Sequence, residues 1–117
     1  MDEARLLGER NVWLATVRPN GKPHLVPVWF VWLSGKIYIC IQPESVKARN
    51  IESQPRVSVA LENGDKPVIA EGVARFVPAP FPSEVNAAFK AKYDWDIPSD
   101  PSYQTMCEIS PEKWLNW

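Results

Sequence analysis

Histidine is nearly absent from this chain: His24 is the only one in 117 residues. A single histidine excludes metal sites built from several imidazoles. Without a nucleophile elbow or a Walker-type glycine loop, hydrolysis by a triad or by a His-bound metal also lacks its parts. Net charge is equally sparse, with 13 Lys and Arg against 14 Asp and Glu. Such a balance is not that of a surface built to neutralise a nucleic-acid backbone, so no nucleic-acid partner is expected. Only two cysteines occur, Cys40 and Cys107. Both sit in apolar contexts without metal-ligand spacing, which predicts buried free thiols in a reducing compartment. No window approaches the roughly 20 apolar residues of a membrane span, and Met1 to Leu7 lack the apolar region of a signal peptide. A cytoplasmic protein with no membrane partner is the expectation.

What the chain does have is enough apolar content, 45%, for a core within one domain covering residues 1–117, and 12 prolines to punctuate it. Its six tryptophans exceed what one small core easily absorbs, which points to an interface or a bound flat ligand. Residues 2–10 predict a short amphipathic helix through Ala4, Leu6 and Leu7. Residues 12–17 read as a strand, Asn20-Gly21 as a tight turn, and residues 24–32 as a returning strand that is apolar on both faces. Pro27 inside that run cannot donate to a ladder, so it marks a bulge, an edge or an interruption. Ser34-Gly35 turns the chain into residues 37–41, a buried strand, and a helix over 46–53 closes at Gln54-Pro55. Residues 56–61 alternate as a half-buried strand, and 68–77 form a long strand in which Gly72 marks a bend or bulge. Beyond the prolines at 78, 80 and 82, the pattern predicts a helix over 84–93 with Ser83 as its N-cap, a loop over 94–101, a strand over 104–109 and one last helical turn from Ser110 through Trp114. The sum is a mainly β (α+β) fold, a six-stranded antiparallel barrel with short flanking helices. Its all-apolar second strand predicts a homodimer formed through one side.

Polar chemistry concentrates in residues 37–51. The strand ends at Pro43, which is placed to open a helix. It delivers Ser45, Lys47 and Arg49 to a helix N-terminus, where free N–H groups and the dipole favour an anion. A hydroxyl and two cations would complete a phosphate site. An ordinary capped helix with solvated basic residues stays open on these residues alone. In a regular helix Ser45 and Arg49 share a face and Lys47 points away, so the three converge only if residues 43–47 form a turn that wraps the phosphate. His24 reads as a surface residue at a strand start. Trp29 and Trp32 read as core or dimer interface, and Asp94, Asp96 and Asp100 as a solvated loop without calcium-loop spacing.

The ordered run Gly21-Lys22-Pro23-His24-Leu25-Val26-Pro27-Val28-Trp29-Phe30, Gly35-Lys36-Ile37-Tyr38, Ser45-Val46-Lys47-Ala48-Arg49-Asn50-Ile51 and Pro55-Arg56-Val57 resembles the flavin-binding split β-barrel family related to pyridoxamine 5′-phosphate oxidase, over residues 11–77. The resemblance implies a split barrel and a homodimer with the cofactor at the subunit interface. It implies that Pro27, Val28, Trp29 and Phe30 border the isoalloxazine ring. It gives the cofactor phosphate to Ser45, Lys47 and Asn50, with Gln42 and Arg49 as helpers. Trp114 and Trp117 resemble an aromatic C-terminus that reaches the partner's site. The Arg-containing substrate-binding tail of true pyridoxamine 5′-phosphate oxidases has no counterpart here. The implied function is therefore an FMN-binding oxidoreductase acting on an unidentified small molecule. A deazaflavin coenzyme in place of FMN, and a non-catalytic flavin carrier or electron-transfer module, are the alternatives. In each case the flavin carries the redox chemistry, which suits a sequence without an acid–base pair.

Overall fold

A computed structural model describes residues 1–115; the role expected of Trp117 lies outside them. The elements follow in the order α1 (Glu3–Gly8), β1 (Asn11–Val17), β2 (Pro23–Trp29), β3 (Val31–Leu33), β4 (Lys36–Ile41), α2 (Val46–Ser53), β5 (Arg56–Leu61), β6 (Ile69–Val77), α3 (Ser83–Tyr93), a short 3₁₀ turn (Ile97–Ser99) and β7 (Thr105–Leu115). The seven strands form one antiparallel sheet in the order β2-β1-β5-β6-β7-β4-β3.

The two edges of that order are β2 and β3, yet Phe30 alone separates them in the chain. Consecutive Cα atoms lie about 3.8 Å apart, so the sheet must curl until its edges nearly meet. The barrel is split because nothing hydrogen-bonds β2 to β3. Phe30 is held instead by α3: its N–H donates to the Tyr93 hydroxyl at 2.9 Å, and its carbonyl lies 2.7 Å from that hydroxyl and accepts from Lys92 Nζ at 3.1 Å. This break divides the expected continuous strand over 24–32 and raises the strand count from the expected six to seven. Pro27 falls in the edge strand β2, opposite Trp13 of β1, where a missing N–H need not cost a ladder bond.

β4 explains its own composition. Ile37, Ile39 and Ile41 face the interior with Leu14, Ile51, Val57 and Ile109. Tyr38 and Cys40 face the opposite side, where Val85 and Phe89 of α3 pack with Met106. A strand buried on both faces reads as an unbroken apolar run.

The last helical turn expected from Ser110 to Trp114 is instead the second half of β7, paired with β6 as far as Leu115 opposite Ile69. Local propensity yields there to the long partner strand. The register shifts between Glu71 and Gly72, with Pro111 opposite Gly72. A Cβ on Gly72 would meet the Ser110 carbonyl oxygen at 2.3 Å, so glycine is what lets β7 approach. The bulge also accommodates the missing N–H of Pro111.

α2 has the expected span, Val46–Ser53 with Ser45 as N-cap, but Pro43 lies in the preceding turn and does not open it. α3 starts earlier than expected: it includes Ser83 and follows Pro82, which supplies no side-chain cap.

Candidate functional site

The end of β2, the end of β4, the first turn of α2 and the segment after α3 enclose a cleft of about 390 Å³ lined by Asn11, Pro27, Val28, Trp29, Cys40, Ile41, Lys47, Trp95, Asp100 and Tyr103. Of the residues expected at the site, Pro27, Val28, Trp29 and Lys47 therefore meet in one cavity. Such a volume falls in the range of about 300–1,000 Å³ typical of small-molecule sites.

The aromatic wall is braced from behind. Trp29 stacks on Tyr93 with ring centroids 4.5 Å apart and planes 9° from parallel. The Arg10 guanidinium sits over both rings, 5.4 Å from the Trp29 centroid and 4.8 Å from that of Tyr93. Trp95 meets Trp29 edge-on at 5.8 Å and Tyr103 at 5.1 Å. The Trp95 indole N–H donates to Asp100 at 3.0 Å, and the same carboxylate accepts the Ser102 N–H at 3.1 Å. These contacts fix orientation, so the aromatic faces are formed before any ligand arrives.

Charge enters through Lys47. The ammonium is half-buried, and burial lowers its pKa. Among the described residues it has neither an ion-pair nor a hydrogen-bond partner. A desolvated cation without a counter-charge is costly to the fold alone, and an anionic ligand would offset that cost.

The rest of the expected phosphate group is distributed differently. The Ser45 hydroxyl donates to the Gln42 carbonyl at 2.8 Å and accepts the Ala48 N–H at 3.3 Å, the bond of an N-cap. Arg49 and the Gln42 side chain are exposed. Asn50 is 1% exposed, and its amide donates to the Thr16 hydroxyl at 3.0 Å, bracing α2 against β1. Lys47 and Asn50, three residues apart, share the face of α2 turned toward the sheet. Helix thus begins right after Ser45, whereas a wrapping turn through Lys47 was expected. Phe30 is fully buried beneath the cleft and lines none of it. Trp114 lies in a separate cavity with Asp2, Arg5 and Lys66, edge-on to Trp32 at 6.0 Å.

Sequence reasoning missed Trp95, Asp100 and Tyr103, because a proline- and acid-rich stretch reads as solvated loop. The surplus of tryptophan was the one signal pointing their way. It also missed the surroundings of His24, which is half-buried rather than a surface residue and whose Nδ1 is enclosed without a partner. Cys40 lines the cleft, but burial, then the Asp100 charge, push its thiol up to about 12, so it stays protonated and un-nucleophilic.

Comparison with known proteins agrees with this architecture. No curated protein matches the sequence. Among solved structures, an F420 reductase superposes with a TM-score of 0.79 at 24% identity, covering 97% of this chain and 94% of that one. The heme storage protein HutZ from Vibrio cholerae superposes with a TM-score of 0.82 at 21% identity, covering 95% and 87%. An FAD-binding protein from Mesorhizobium loti gives 0.72 at 22% identity, covering 91% and 82%. Likeness at these identities speaks for the fold. The family model described as pyridoxamine 5′-phosphate oxidase matches residues 2–117, and the chain therefore belongs to that family.

Proposed function

We propose that this chain is a flavin-binding oxidoreductase that holds FMN in the cleft and acts as a homodimer on a small molecule. The observation that carries the reading is Lys47: a half-buried cation, without a counter-charge among the described residues, opens onto the same cavity as a preformed aromatic wall. A phosphate-bearing planar cofactor matches both features. The names of two proteins with the same fold, an F420 reductase and an FAD-binding protein, support a flavin-type ligand.

FMN, when bound, supplies the hydride or electron transfer itself. The chain's own residues bind, orient and exclude water. Lys47 neutralises phosphate charge through a charge-assisted hydrogen bond. As an edge strand, β2 leaves backbone groups unpaired along Pro27 to Trp29, available to the polar edge of a heteroaromatic ring. Trp29, Trp95 and Tyr103 cover apolar faces and keep solvent out.

The dimer reading rests on the outward face of the β1–β2 hairpin. Trp13 is 41% exposed, Leu25 60% and Trp29 42%, and Pro27 lies opposite Trp13. A second copy would cover this contiguous apolar surface and close the open side of the cleft, as an isologous interface does. The buried free thiols of Cys40 and Cys107 suit a reducing, cytoplasmic setting.

The test is reconstitution. The purified protein should take up FMN at micromolar concentration, and the loaded dimer should oxidise NAD(P)H or another reduced donor. Failure to bind FMN while binding the deazaflavin coenzyme would replace the cofactor. FMN binding without turnover would make the chain a flavin carrier or electron-transfer module.

A further inference from the structure

His24 stands opposite Thr16 across the β1–β2 ladder, so the two side chains share a face of the hairpin. Thr16 is buried and receives the Asn50 amide from α2. The helix therefore packs over the face that carries His24, with Lys47 on its inward side. Arg18, just past the end of β1, closes the same corner, and its guanidinium donates to the Pro23 carbonyl at 2.8 Å. Among the described residues, Arg18 and Lys47 are the charges that act on the imidazole, and no carboxylate is among them. Thr16 and Asn50, the other polar neighbours, are neutral and engaged with each other. Among the described residues, the imidazole Nδ1 is enclosed without a hydrogen-bond partner.

Two cations and an unsatisfied imidazole in one corner raise one another's cost, and a folded chain gains nothing from the grouping alone. A phosphate supplies what all three lack. Its oxygens accept hydrogen bonds, and its second negative charge, present above a pKa of about 6, balances an imidazolium as well as Lys47.

We infer that His24 is a direct ligand of the phosphate that Lys47 binds, with Arg18 at its rim, and that the imidazole takes up a proton from solvent as the phosphate enters. The inference rests on the reading of Lys47 as the phosphate-binding group. Before a phosphate enters, burial first, then Arg18 and Lys47, hold the imidazole below its ordinary pKa, so it is neutral near pH 7. In the complex the phosphate charge favours the imidazolium.

Because His24 is the only histidine, its imidazole C–H resonances can be followed in the intact protein without assignment. We expect saturating FMN to raise the His24 pKa by about one unit or more, the scale of an opposite charge within a few ångströms. Riboflavin, which lacks the phosphate, should leave it in place. In the His24→Gln variant, the affinity ratio of wild type to variant for FMN should fall as pH rises from 5 to 8.5, approaching the limit of about tenfold that a one-unit pKa change sets. The ionisation of free FMN is common to both measurements and cancels in that ratio. FMN binding that leaves the His24 titration unmoved would overturn the inference and leave the flavin reading standing. Inorganic phosphate raising the His24 pKa in a protein that binds no FMN would overturn the flavin reading and support the anion site.

Discussion

The Tyr93 hydroxyl lies 2.9 Å from the N–H and 2.7 Å from the carbonyl oxygen of Phe30, the one residue between the two edges of the curled sheet. A single side chain of α3 thus satisfies the peptide groups that sheet pairing abandons there. It also stacks on Trp29, so the seam of the barrel and the wall of the cleft share one support. Tyr93→Phe keeps the ring and removes the hydroxyl, leaving a buried N–H unpaired. The expected cost is about 1–3 kcal/mol, read as a lower urea midpoint with an unchanged m-value. A loss below experimental error would mean that water replaces the hydroxyl as acceptor of the Phe30 N–H.

Asn50 and Thr16 should behave as a structural pair. Asn50→Ala leaves the buried Thr16 hydroxyl without its donor, and a loss of about 1–3 kcal/mol is expected. Thr16→Val in the same chain should restore much of it, giving a coupling energy in a double-mutant cycle. The preference for FMN over riboflavin should survive Asn50→Ala. A selective loss of FMN would show Asn50 to be a phosphate ligand as well.

Gly72 is required by space rather than by backbone conformation. Gly72→Ala drives a methyl into the Ser110 carbonyl across the bulge, and overpacking of this kind costs about 1–3 kcal/mol. Denaturant unfolding measures it. Gly64→Ala, where an added Cβ meets nothing within 4 Å, is the matched control and should change stability by less.

Lys92 gives stability a pH dependence of known sign. Burial first, then Arg10, lower its folded pKa to about 8 from 10.5. Below pH 8 both states carry the charge and the burial penalty is fully present. Between 8 and 10.5 the folded state sheds its proton while the unfolded chain retains its own, so stability rises with pH. Cys40 and Cys107, raised to about 12 from 9.0, act in the opposite direction as pH passes 9. Lys92→Met keeps the cysteines and removes the lysine. Wild type should therefore gain stability relative to this variant between pH 7 and pH 9, and a parallel pair of curves would contradict the assignment.

The strands and the cleft were legible in the sequence to different degrees. Periodicity and turn chemistry marked β1, β4, β5 and β6, and Gly72 announced its bulge, because those signals are local. The strand break at Phe30 was not legible, since its cause, the Tyr93 hydroxyl, lies 63 residues away. The strand over Ser110 to Leu115 was hidden for a similar reason: a Ser-Pro-Glu start favours a helical turn until β6 offers its full length. At the site, the ordered run from Gly21 to Val57 led to Pro27, Val28, Trp29 and Lys47. Trp95, Asp100 and Tyr103 reach the cleft only through the packing of the segment after α3. The partition of α2, with Lys47 inward and Arg49 outward, depends on which face meets the sheet, and spacing alone does not say.

In the proposed function, Lys47 is a cation kept for an anion. Affinities of wild type and Lys47→Ala for FMN and for riboflavin, measured side by side, address it most directly. The variant should lose about 1.5–3 kcal/mol of FMN binding, the worth of a hydrogen bond to a charged group, and almost none of riboflavin binding. Equal losses for both ligands would contradict the claim and make Lys47 a support of the fold.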